Sequence, residues 1–260
     1  MSLRQALLRP LYRVYEDRIV ASLDRAALPA HIGVIHDGHR RFAREARLPD
    51  YESGYRAGMD KFVDFLGWCR EVEVPALTCW LQSRENLSRP ADELEPYFDV
   101  LADLFERLPS IAGHHDVDFG VIGSTDLLPD RLRAAAGRLT EESGSGGRRI
   151  NIALAYAGRH EIVDAVRDLV DKLAAEGISP QEMAEHVDVA SIEQHLYTVD
   201  LPDPDLVIRT SGESRLSGFL LWQAAYAEYA FVDVYWPEFR RVDFLRVLRE
   251  FTHRERRFGR

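Results

Sequence analysis

Short apolar runs of strand length alternate with helical segments along the first third of the chain. The run His31–His36 ends abruptly at Asp37-Gly38 and leads into a charged helical segment, His39–Ala46. The pattern recurs, with a helix predicted over Gly58–Glu71 and a strand predicted over Ala76–Leu81. Because strands that alternate with helices are joined by crossover connections, this order predicts a parallel sheet.

The alternation continues through the C-terminal half without an internal repeat or an interdomain linker. A helix that begins at Pro90 carries a long apolar stripe, formed by Leu94, Phe98, Leu101, Leu104, Phe105 and Leu108. The further predicted elements are strands over Asp118–Ile122, Ile150–Tyr156 and Leu206–Arg209 and helices over Asp130–Glu142 and His160–Glu176. The predicted fold class is α/β, a single domain with a central, mostly parallel sheet surrounded by helices.

An N-terminal amphipathic helix is predicted within residues 1–30, ahead of the α/β body of residues 31–260. Its apolar positions recur at helical spacing. They are Leu3, Leu7, Leu8, Leu11, Val14, Tyr15 and Ile19. Because the other faces carry charges of both signs, packing on the body is favoured over contact with a membrane.

The charge and the apolar runs limit the class of partner. A formal net charge of -10 argues against non-specific binding of nucleic acid, so any phosphate chemistry needs a local basic pocket. No apolar run is as long as a membrane span and no signal peptide is evident, so we expect a cytoplasmic chain without a transmembrane segment. The two cysteines, Cys69 and Cys79, lie in apolar stretches, which favours core packing over metal or redox chemistry.

Ligands of parallel α/β sheets bind beyond the carboxyl ends of the strands. The first such end carries Asp37-Gly38, with Arg40 and Arg41 at the start of the following helix. Arginines and helix-start amides bind a diphosphate, and a carboxylate holds Mg²⁺ against it. A helix-start turn with solvated arginines is the alternative interpretation of this segment alone.

Two more strand ends carry polar clusters. The second strand is followed by the segment Ser83-Arg-Glu-Asn86 and by Arg89. These side chains are suited either to contact a substrate or to cap the helix that starts at Pro90. Arg209 to Ser217 follows the strand Leu206–Arg209 and supplies two arginines and several hydroxyls around a glycine, a second anion site. Two phosphate sites on one chain suggest two phosphorylated substrates.

Other polar and aromatic positions favour structural roles. A His-Asp-His zinc site at His36–His39 has little support, because alternation along a strand places His36 and Asp37 on opposite sides. The aromatic-rich segment Tyr226–Trp236 is interpreted as core, and Glu228 within it needs a partner if it is buried.

The motifs resemble those of the cis-prenyltransferases, which include undecaprenyl diphosphate synthase and short-chain Z-prenyl diphosphate synthases. The resemblance runs from about His31 to the C-terminus. It is carried by Asp37–Arg41, Ser83–Asn86 with Arg89-Pro90, Asp205–Glu213, Phe219–Gln223 and Arg254–Gly259. It implies a Mg²⁺-dependent homodimer that joins prenyl diphosphates, with an apolar substrate tunnel in each subunit lined by the stripe Leu94–Leu108.

The resemblance also implies roles for single residues. Asp37 matches the essential carboxylate at the allylic diphosphate and Mg²⁺, and Glu228 matches a second acidic residue of the metal site. The implied catalytic residues are Asp37, His39, Ser83, Glu85 and Asn86. The implied substrate-binding residues are Gly38, Arg40, Arg41, Phe42, Arg89, Arg209, Arg215, Ser217 and Leu81. The C-terminal Arg254–Gly259 resembles a tail that completes the neighbouring subunit's diphosphate site.

Several positions depart from the usual pattern of the family. His39 replaces an amide beside the reacting diphosphate, and Ser211 and Gly218 replace a glycine and an asparagine at the second diphosphate site. Leu81 is bulkier than the residue of long-chain members, and bulk there shortens the tunnel. The main interpretation is therefore a synthase that adds isopentenyl diphosphate to an allylic diphosphate to make a short-chain Z-prenyl diphosphate.

Two alternatives to this interpretation stay open. The altered acceptor site is also compatible with irregular coupling of dimethylallyl-type diphosphates to a branched or cyclised, lavandulyl-type product. A further alternative is an inactive partner subunit of a heteromeric prenyltransferase. A phosphate-binding regulator is set aside, because no P-loop or Gly-x-Gly-x-x-Gly pattern follows any strand.

Overall fold

The computed structural model describes the backbone of residues 3–112, 117–144 and 146–254, and the side chains of residues 12–110, 117–144 and 146–254. Two of its helices are shorter than six residues, and short 3-10 turns join several elements. The helices are α1 (Leu3–Ser22), α2 (His39–Glu45), α3 (Tyr51–Glu71), α4 (Ala91–Ala112), α5 (Asp130–Glu142), α6 (Gly158–Ala175), α7 (Pro180–Met183), α8 (Val189–Glu193) and α9 (Arg241–His253).

The described strands form one six-stranded sheet in the order β3-β4-β2-β1-β5-β6. The strands are β1 (His31–Ile35), β2 (Ala76–Trp80), β3 (Val117–Ile122), β4 (Arg148–Ala153), β5 (Leu206–Arg209) and β6 (Glu228–Phe231). Every paired neighbour in this sheet is parallel. The α/β fold class predicted from the alternating pattern is confirmed.

The largest boundary differences have local causes. The predicted strand Ile150–Tyr156 ends at Ala153, because Ala155 takes a positive φ of 45° and Tyr156 forms only an isolated bridge with Ser83. Helix α3 begins at Tyr51, seven residues before the predicted start at Gly58. Asp50 caps it, accepting a 2.8 Å hydrogen bond from the Ser53 amide.

The prediction that the aromatic segment Tyr226–Trp236 belongs to the core is only partly correct. Trp236 is fully buried, as predicted, but Tyr226 and Phe231 are 82% and 42% exposed. Residues 228–231 instead form β6, which pairs with β5 at one edge of the sheet. An edge strand is flanked by solvent on one side, so its side chains do not all belong to the core.

The N-terminal helix packs on the body, as predicted. Ile19 and Leu23 are buried in the main core, and Arg241 of α9 donates a 2.8 Å hydrogen bond to Glu16 of α1. No helix among the described residues is long and apolar enough to cross a membrane.

The apolar stripe of α4 belongs to the core and does not line an open tunnel. Leu101, Leu104 and Leu108 have no surface accessible to a water-sized probe. They pack with residues of α3, α5, α9 and the sheet in one continuous cluster. The role of Leu94–Leu108 as a tunnel lining stays a prediction, because neighbouring side chains fill the space beside these residues in this structure.

Candidate active site

A cavity of about 390 Å³ lies beyond the carboxyl ends of β1 and β2. Five arginines and two carboxylates are among its lining residues, so the local charge is positive although the chain carries a net charge of -10. The lining residues are His36, Asp37, Gly38, His39, Arg40, Arg41, Arg44, Tyr55, Leu81, Asn86, Arg89, Tyr97, Glu213 and Arg215. The structure thus brings together residues from all three strand-end motifs of the sequence.

Asp37 is placed by backbone hydrogen bonds at the end of β1. Its amide donates to Thr210 Oγ1 at 3.0 Å, and Thr210 Oγ1 donates to the Asp37 carbonyl oxygen at 2.8 Å. The Trp236 amide donates to the same carbonyl oxygen at 2.9 Å. These contacts fix the peptide before α2 and point to a rigid carboxylate position.

The Asp37 carboxylate is held by two arginines. Its Oδ2 accepts a 2.8 Å hydrogen bond from Arg209 Nη2, and its Oδ1 lies 3.3 Å from Arg41 Nη2. Burial alone raises the pKa of this carboxyl group, but hydrogen bonds from Arg209 and Ser211 and the charges of Arg209 and Arg41 outweigh it and lower the pKa. Asp37 is therefore ionised at neutral pH.

Gly38 precedes α2 in a conformation that requires glycine. Its φ is +108°, and a Cβ atom at this position would lie 2.7 Å from the Tyr235 ring. A side chain at residue 38 would displace the start of α2 and with it Arg40 and Arg41. The sequence motif therefore has a backbone reason at its second position.

Arg209 and its neighbours form the second cluster behind Asp37. Arg209 is 5% exposed, and its Nη1 donates to Ser217 Oγ at 2.8 Å and to the carbonyl oxygen of Arg215. The Arg215 side chain lines the cavity and pairs with Glu213. Arg209 therefore joins the Asp37 carboxylate to the loop that carries Arg215 and Ser217.

Glu93 and Glu213 order the arginines at the cavity wall. Arg40 Nη1 donates to both oxygens of Glu93 at 3.0 and 3.1 Å, and Arg89 Nη1 lies 3.2 Å from the same carboxylate. Arg41 Nη1 donates to Glu213 Oε1 at 3.1 Å. The pairs keep the guanidinium groups beside the cavity.

Glu93 and Tyr97 were not identified as site residues from the sequence. Their spacing offers the missing signal, because Glu93 and Tyr97 are four residues apart on α4 and therefore share one face, and Arg89, just before α4, pairs with Glu93. Asn86 joins this group by accepting a 2.7 Å hydrogen bond from Arg89 Nη2.

His39 is a buried, neutral ring at the inner wall of the cavity. Its side chain packs against Gly58, where a Cβ atom would lie 2.1 Å from the ring, and against Tyr55, with ring centroids 6.1 Å apart. Burial lowers the pKa of His39 to about 4. The negative charge of Asp37 raises this pKa, and the positive charge of Arg89 lowers it. Its Nε2 has no hydrogen-bond partner among the described residues.

His36 is held in an aromatic environment. Its ring centroid lies 3.9 Å from that of Trp236 and 5.6 Å from that of Phe62. Burial lowers the pKa of His36 well below its ordinary value, so the ring is neutral. In the described part of the chain no group of three potential metal-binding side chains forms at this point.

The inner end of the cavity is apolar and closed by bulky side chains. Leu81, Tyr55 and Tyr97 line it, and each is less than 7% exposed. The Tyr55 and Tyr97 ring centroids are 4.6 Å apart, and the Tyr97 hydroxyl donates to the carbonyl oxygen of Leu81. These contacts fill the space between the cavity and the core.

Six of the predicted site residues lie outside the cavity lining: Phe42, Ser83, Glu85, Arg209, Ser217 and Glu228. Ser83 caps the 3-10 turn Arg84–Ser88 by accepting a 3.2 Å hydrogen bond from the Asn86 amide, as the capping alternative predicts. Glu85 is exposed, and Phe42 is half-buried on α2. Ser217 is exposed beside Arg209. A catalytic role for Ser83 and Glu85 and a binding role for Phe42 stay predictions.

Glu228 does not share a metal site with Asp37 within one chain. Glu228 is level with Leu206 of β5, and Leu206 is level with Ile32 of β1, so Glu228 lies at the opposite end of the sheet from Asp37. The separation along the strands is roughly 15 Å at the usual rise per residue. Glu228 instead pairs with Arg254 Nη1 at 3.1 Å. This corrects the predicted Asp37–Glu228 pair, because both ligands of one Mg²⁺ ion lie within about 2.1 Å of it.

The rest of the C-terminal motif lies outside the described residues, which end at 254. The implied role of this tail at a neighbouring subunit's site therefore stays a prediction.

A parallel α/β sheet with an arginine-lined cavity at the carboxyl ends of its strands defines an enzyme that acts on phosphorylated substrates. The chain belongs to the cis-prenyltransferases. Residues 35–259 match the model of a family described as putative undecaprenyl diphosphate synthase. The resemblance noted in the sequence motifs is thus confirmed, and the chain is a prenyl diphosphate synthase by family.

Three similar proteins show the range of the family. The chain is 48% identical to isoprenyl transferase 1 of Corynebacterium diphtheriae, over 99% of this chain and 97% of that protein. It is 47% identical to a (2Z,6E)-farnesyl diphosphate synthase of Thermobifida fusca, over 96% of this chain and 97% of that protein. The fold is also similar to a solved structure of lavandulyl diphosphate synthase from Lavandula x intermedia in complex with dimethylallyl diphosphate. The two structures superpose with a TM-score of 0.83 and 30% sequence identity, over 90% of this chain and 100% of that chain.

Proposed function

We propose that this chain is a Mg²⁺-dependent synthase that adds isopentenyl diphosphate to an allylic diphosphate and releases a short-chain Z-prenyl diphosphate. The observation that carries the proposal is the cavity itself. Arginines surround its polar wall, and Leu81, Tyr55 and Tyr97 close its apolar end. One substrate end is therefore recognised as an anion, and the other is limited in length. The similarity to a (2Z,6E)-farnesyl diphosphate synthase supports a short product.

The arginine cluster suits the ionisation of an allylic diphosphate. Breaking the carbon–oxygen bond leaves negative charge on the diphosphate and a cation on the prenyl group. Arg40, Arg41 and Arg89 stand at the wall where that negative charge is stabilised, and they are already oriented by Glu93 and Glu213. The half-buried wall limits water that would capture the cation.

Asp37 fits a Mg²⁺ ion that is bound together with the substrate. Its carboxylate is ionised, and Oδ1 lies at a long distance of 3.3 Å from Arg41, which leaves this oxygen able to accept a ligand bond. Mg²⁺ sites of this kind combine one or two carboxylates with phosphate oxygens of the substrate. Bound there, the ion neutralises diphosphate charge and assists departure of the leaving group.

The acceptor diphosphate is assigned to the loop after β5. Arg215 lines the cavity and Ser217 is exposed beside Arg209, so both are available to a second anion. The Arg209–Asp37 hydrogen bond joins this loop to the carboxylate that we assign to the allylic diphosphate and Mg²⁺. A diphosphate oxygen is a suitable base for the final proton loss, so no protein nucleophile is required.

We further propose that the chain works as a homodimer through the β6 edge. Tyr229 and Phe231 of β6 stack with ring centroids 6.3 Å apart, Phe231 is exposed, and Tyr226 is exposed on the turn just before β6, which is an edge strand among the described strands. An exposed aromatic edge is typical of a surface covered by another chain. In such a dimer Glu228 can take part in catalysis only through the second copy. A cytoplasmic location stays a prediction.

Irregular coupling is the second candidate reaction. The structural similarity to a lavandulyl diphosphate synthase and the presence of His39 at the cavity wall favour it. The low pKa of His39 argues against a strongly basic ring, however, so we place regular elongation first.

The test is incubation of the purified chain and Mg²⁺ with dimethylallyl diphosphate alone, compared with geranyl diphosphate plus isopentenyl diphosphate. Product only in the second mixture supports regular elongation. Product in the first mixture assigns irregular coupling. If neither mixture gives product, nor any other allylic partner, and the chain binds an active homologue, it is an inactive partner subunit.

A further inference from the structure

Ser211 occupies a backbone conformation that serine rarely adopts. Its φ is +80°, and the next residue, Gly212, has a φ of +73°. The amides of the two residues donate to the carbonyl oxygens of Val234 at 2.7 Å and Val232 at 3.1 Å, so the turn is fixed. Consecutive positive φ angles favour glycine, asparagine or aspartate, and other residues are strained there.

The backbone gives no reason for a serine at this position. Glycine satisfies the same turn and the same amide hydrogen bonds without strain. Residue 212 differs, because a Cβ atom there would lie 2.6 Å from Asp233 and only glycine fits. A strained residue that the backbone does not require points to a role for its side chain.

The Ser211 side chain contacts two groups of the active site. It is 7% exposed, and its Oγ accepts a 2.7 Å hydrogen bond from Arg41 Nη2. The hydroxyl also contributes to the lowered pKa of the Asp37 carboxyl group. Ser211 therefore anchors Arg41, which lies 3.3 Å from the Asp37 carboxylate.

Arg41 has a competing partner on its other side. Its Nη1 donates to Glu213 at 3.1 Å, so the guanidinium lies between Glu213 and the pair formed by Asp37 and Ser211. Without the hydroxyl, Glu213 becomes the nearest remaining hydrogen-bond acceptor. The position of Arg41 relative to Asp37 thus depends on Ser211.

We propose that Ser211 is a positioning residue, whose hydroxyl holds the Asp37 carboxylate and the Arg41 guanidinium in the orientation that receives the allylic diphosphate. The inference rests on the proposed function for the identity of that ligand. The strained backbone at residue 211 should therefore lower the stability of the protein, while the serine side chain raises its activity.

Two variants separate the hydroxyl from the strain. Ser211→Ala removes the hydroxyl and keeps a Cβ atom at a positive φ, whereas Ser211→Gly removes both. Glu73→Gly is the matched control, because Glu73 is an exposed residue at a φ of +63° between α3 and the start of β2, at the opposite end of that strand from the cavity. Thermal unfolding, steady-state kinetics and calorimetric titration with inorganic diphosphate are measured for all four proteins.

We expect Ser211→Gly and Glu73→Gly to raise the melting temperature by about 2–4 °C. Both Ser211 variants should lose about tenfold in kcat/KM for the allylic substrate and bind inorganic diphosphate about tenfold more weakly, since each lacks a hydrogen bond to a charged group. The KM for isopentenyl diphosphate should change less than twofold. Glu73→Gly should keep wild-type kinetics.

Wild-type diphosphate affinity in Ser211→Ala would overturn the proposal, because that variant differs in the hydroxyl alone. A Ser211→Gly protein that is both more stable and fully active would overturn it as well. If the wild type makes no prenyl product, the proposed function fails, whereas the diphosphate titration still decides the role of Ser211. Weaker diphosphate binding by both variants then supports it.

Discussion

Asp37 Oδ2 accepts a 2.8 Å hydrogen bond from Arg209 Nη2, which joins the carboxyl ends of β1 and β5. The same arginine donates to Ser217, and Asp37 also faces Arg41. One ion pair therefore connects the groups assigned to the two diphosphates. The relationship explains why two motifs far apart in sequence act as one site.

Replacing Asp37 tests the centre of this arrangement. Asp37→Ala removes the carboxylate assigned to Mg²⁺ and leaves the buried Arg209 without its charged partner, so we expect kcat to fall at least about 10²-fold. The measurement is initial rate against Mg²⁺ concentration. Asp64→Ala is the control, because Asp64 is an exposed carboxylate that pairs with Lys61 and lies outside the cavity lining. A near-wild-type rate for Asp37→Ala would refute the assigned role.

The buried ring of His39 predicts a pH-dependent stability. Because burial lowers its pKa from 6.5 to about 4, the native ring stays neutral where the unfolded chain takes up a proton. Protonation of this ring in the unfolded chain therefore lowers the free energy of unfolding as the pH falls from about 6.5 towards 4. Between pH 7 and pH 5, wild type should lose about 2 kcal/mol more unfolding free energy than His39→Asn.

Urea titration followed by tryptophan fluorescence measures the free energy of unfolding of both proteins at each pH. His36 is present in both, so its contribution cancels in the difference between them. Parallel pH profiles for wild type and His39→Asn would show that the ring is not held neutral. The same variant restores the amide usual in the family, so its products also report on the second candidate reaction.

Leu81 is expected to limit product length. Leu81→Ala opens the closed end of the cavity beside Tyr97, and we expect products longer by one or more isoprene units, because the growing chain is no longer blocked. Chromatography of the dephosphorylated products measures the distribution. Leu87→Ala, on the turn after Ser83 and outside the cavity lining, is a control that should keep the wild-type distribution. An unchanged distribution in Leu81→Ala would defeat the steric explanation.

The exposed edge of β6 predicts the assembly. Wild type should sediment at twice the chain mass, and Phe231→Glu should give monomers, because it places a charge in an apolar contact surface. Val163→Glu is the control, since Val163 is similarly exposed but lies on α6. A monomeric wild type, or a dimer that survives Phe231→Glu, would contradict the proposed interface.

The sequence predicts the fold well because its main signals are local. Apolar runs such as His31–His36 and the helical pattern of Asp130–Glu142 appear where the structure has β1 and α5. Strand ends then place Asp37, Asn86 and Arg215 around one cavity without any knowledge of tertiary contacts. The edge strand β6 was missed because its aromatic composition matches that of a core segment.

The rest of the site depends on distances that residue order does not encode. The resemblance assigns Glu228 to the same metal site as Asp37, yet strand register places it at the opposite end of the sheet from Asp37. Tyr97 seals the cavity only because α4 turns this face towards Leu81. The strain at Ser211 likewise becomes visible only in the backbone angle.

The most direct test of the central claim is the dependence of turnover on isopentenyl diphosphate. Purified chain is incubated with Mg²⁺ and geranyl diphosphate, with and without isopentenyl diphosphate, and the dephosphorylated products are separated and their double-bond geometry determined by NMR. A short Z-prenyl product should form only when isopentenyl diphosphate is present. Absence of any product, or equal product from allylic diphosphate alone, would contradict the central claim.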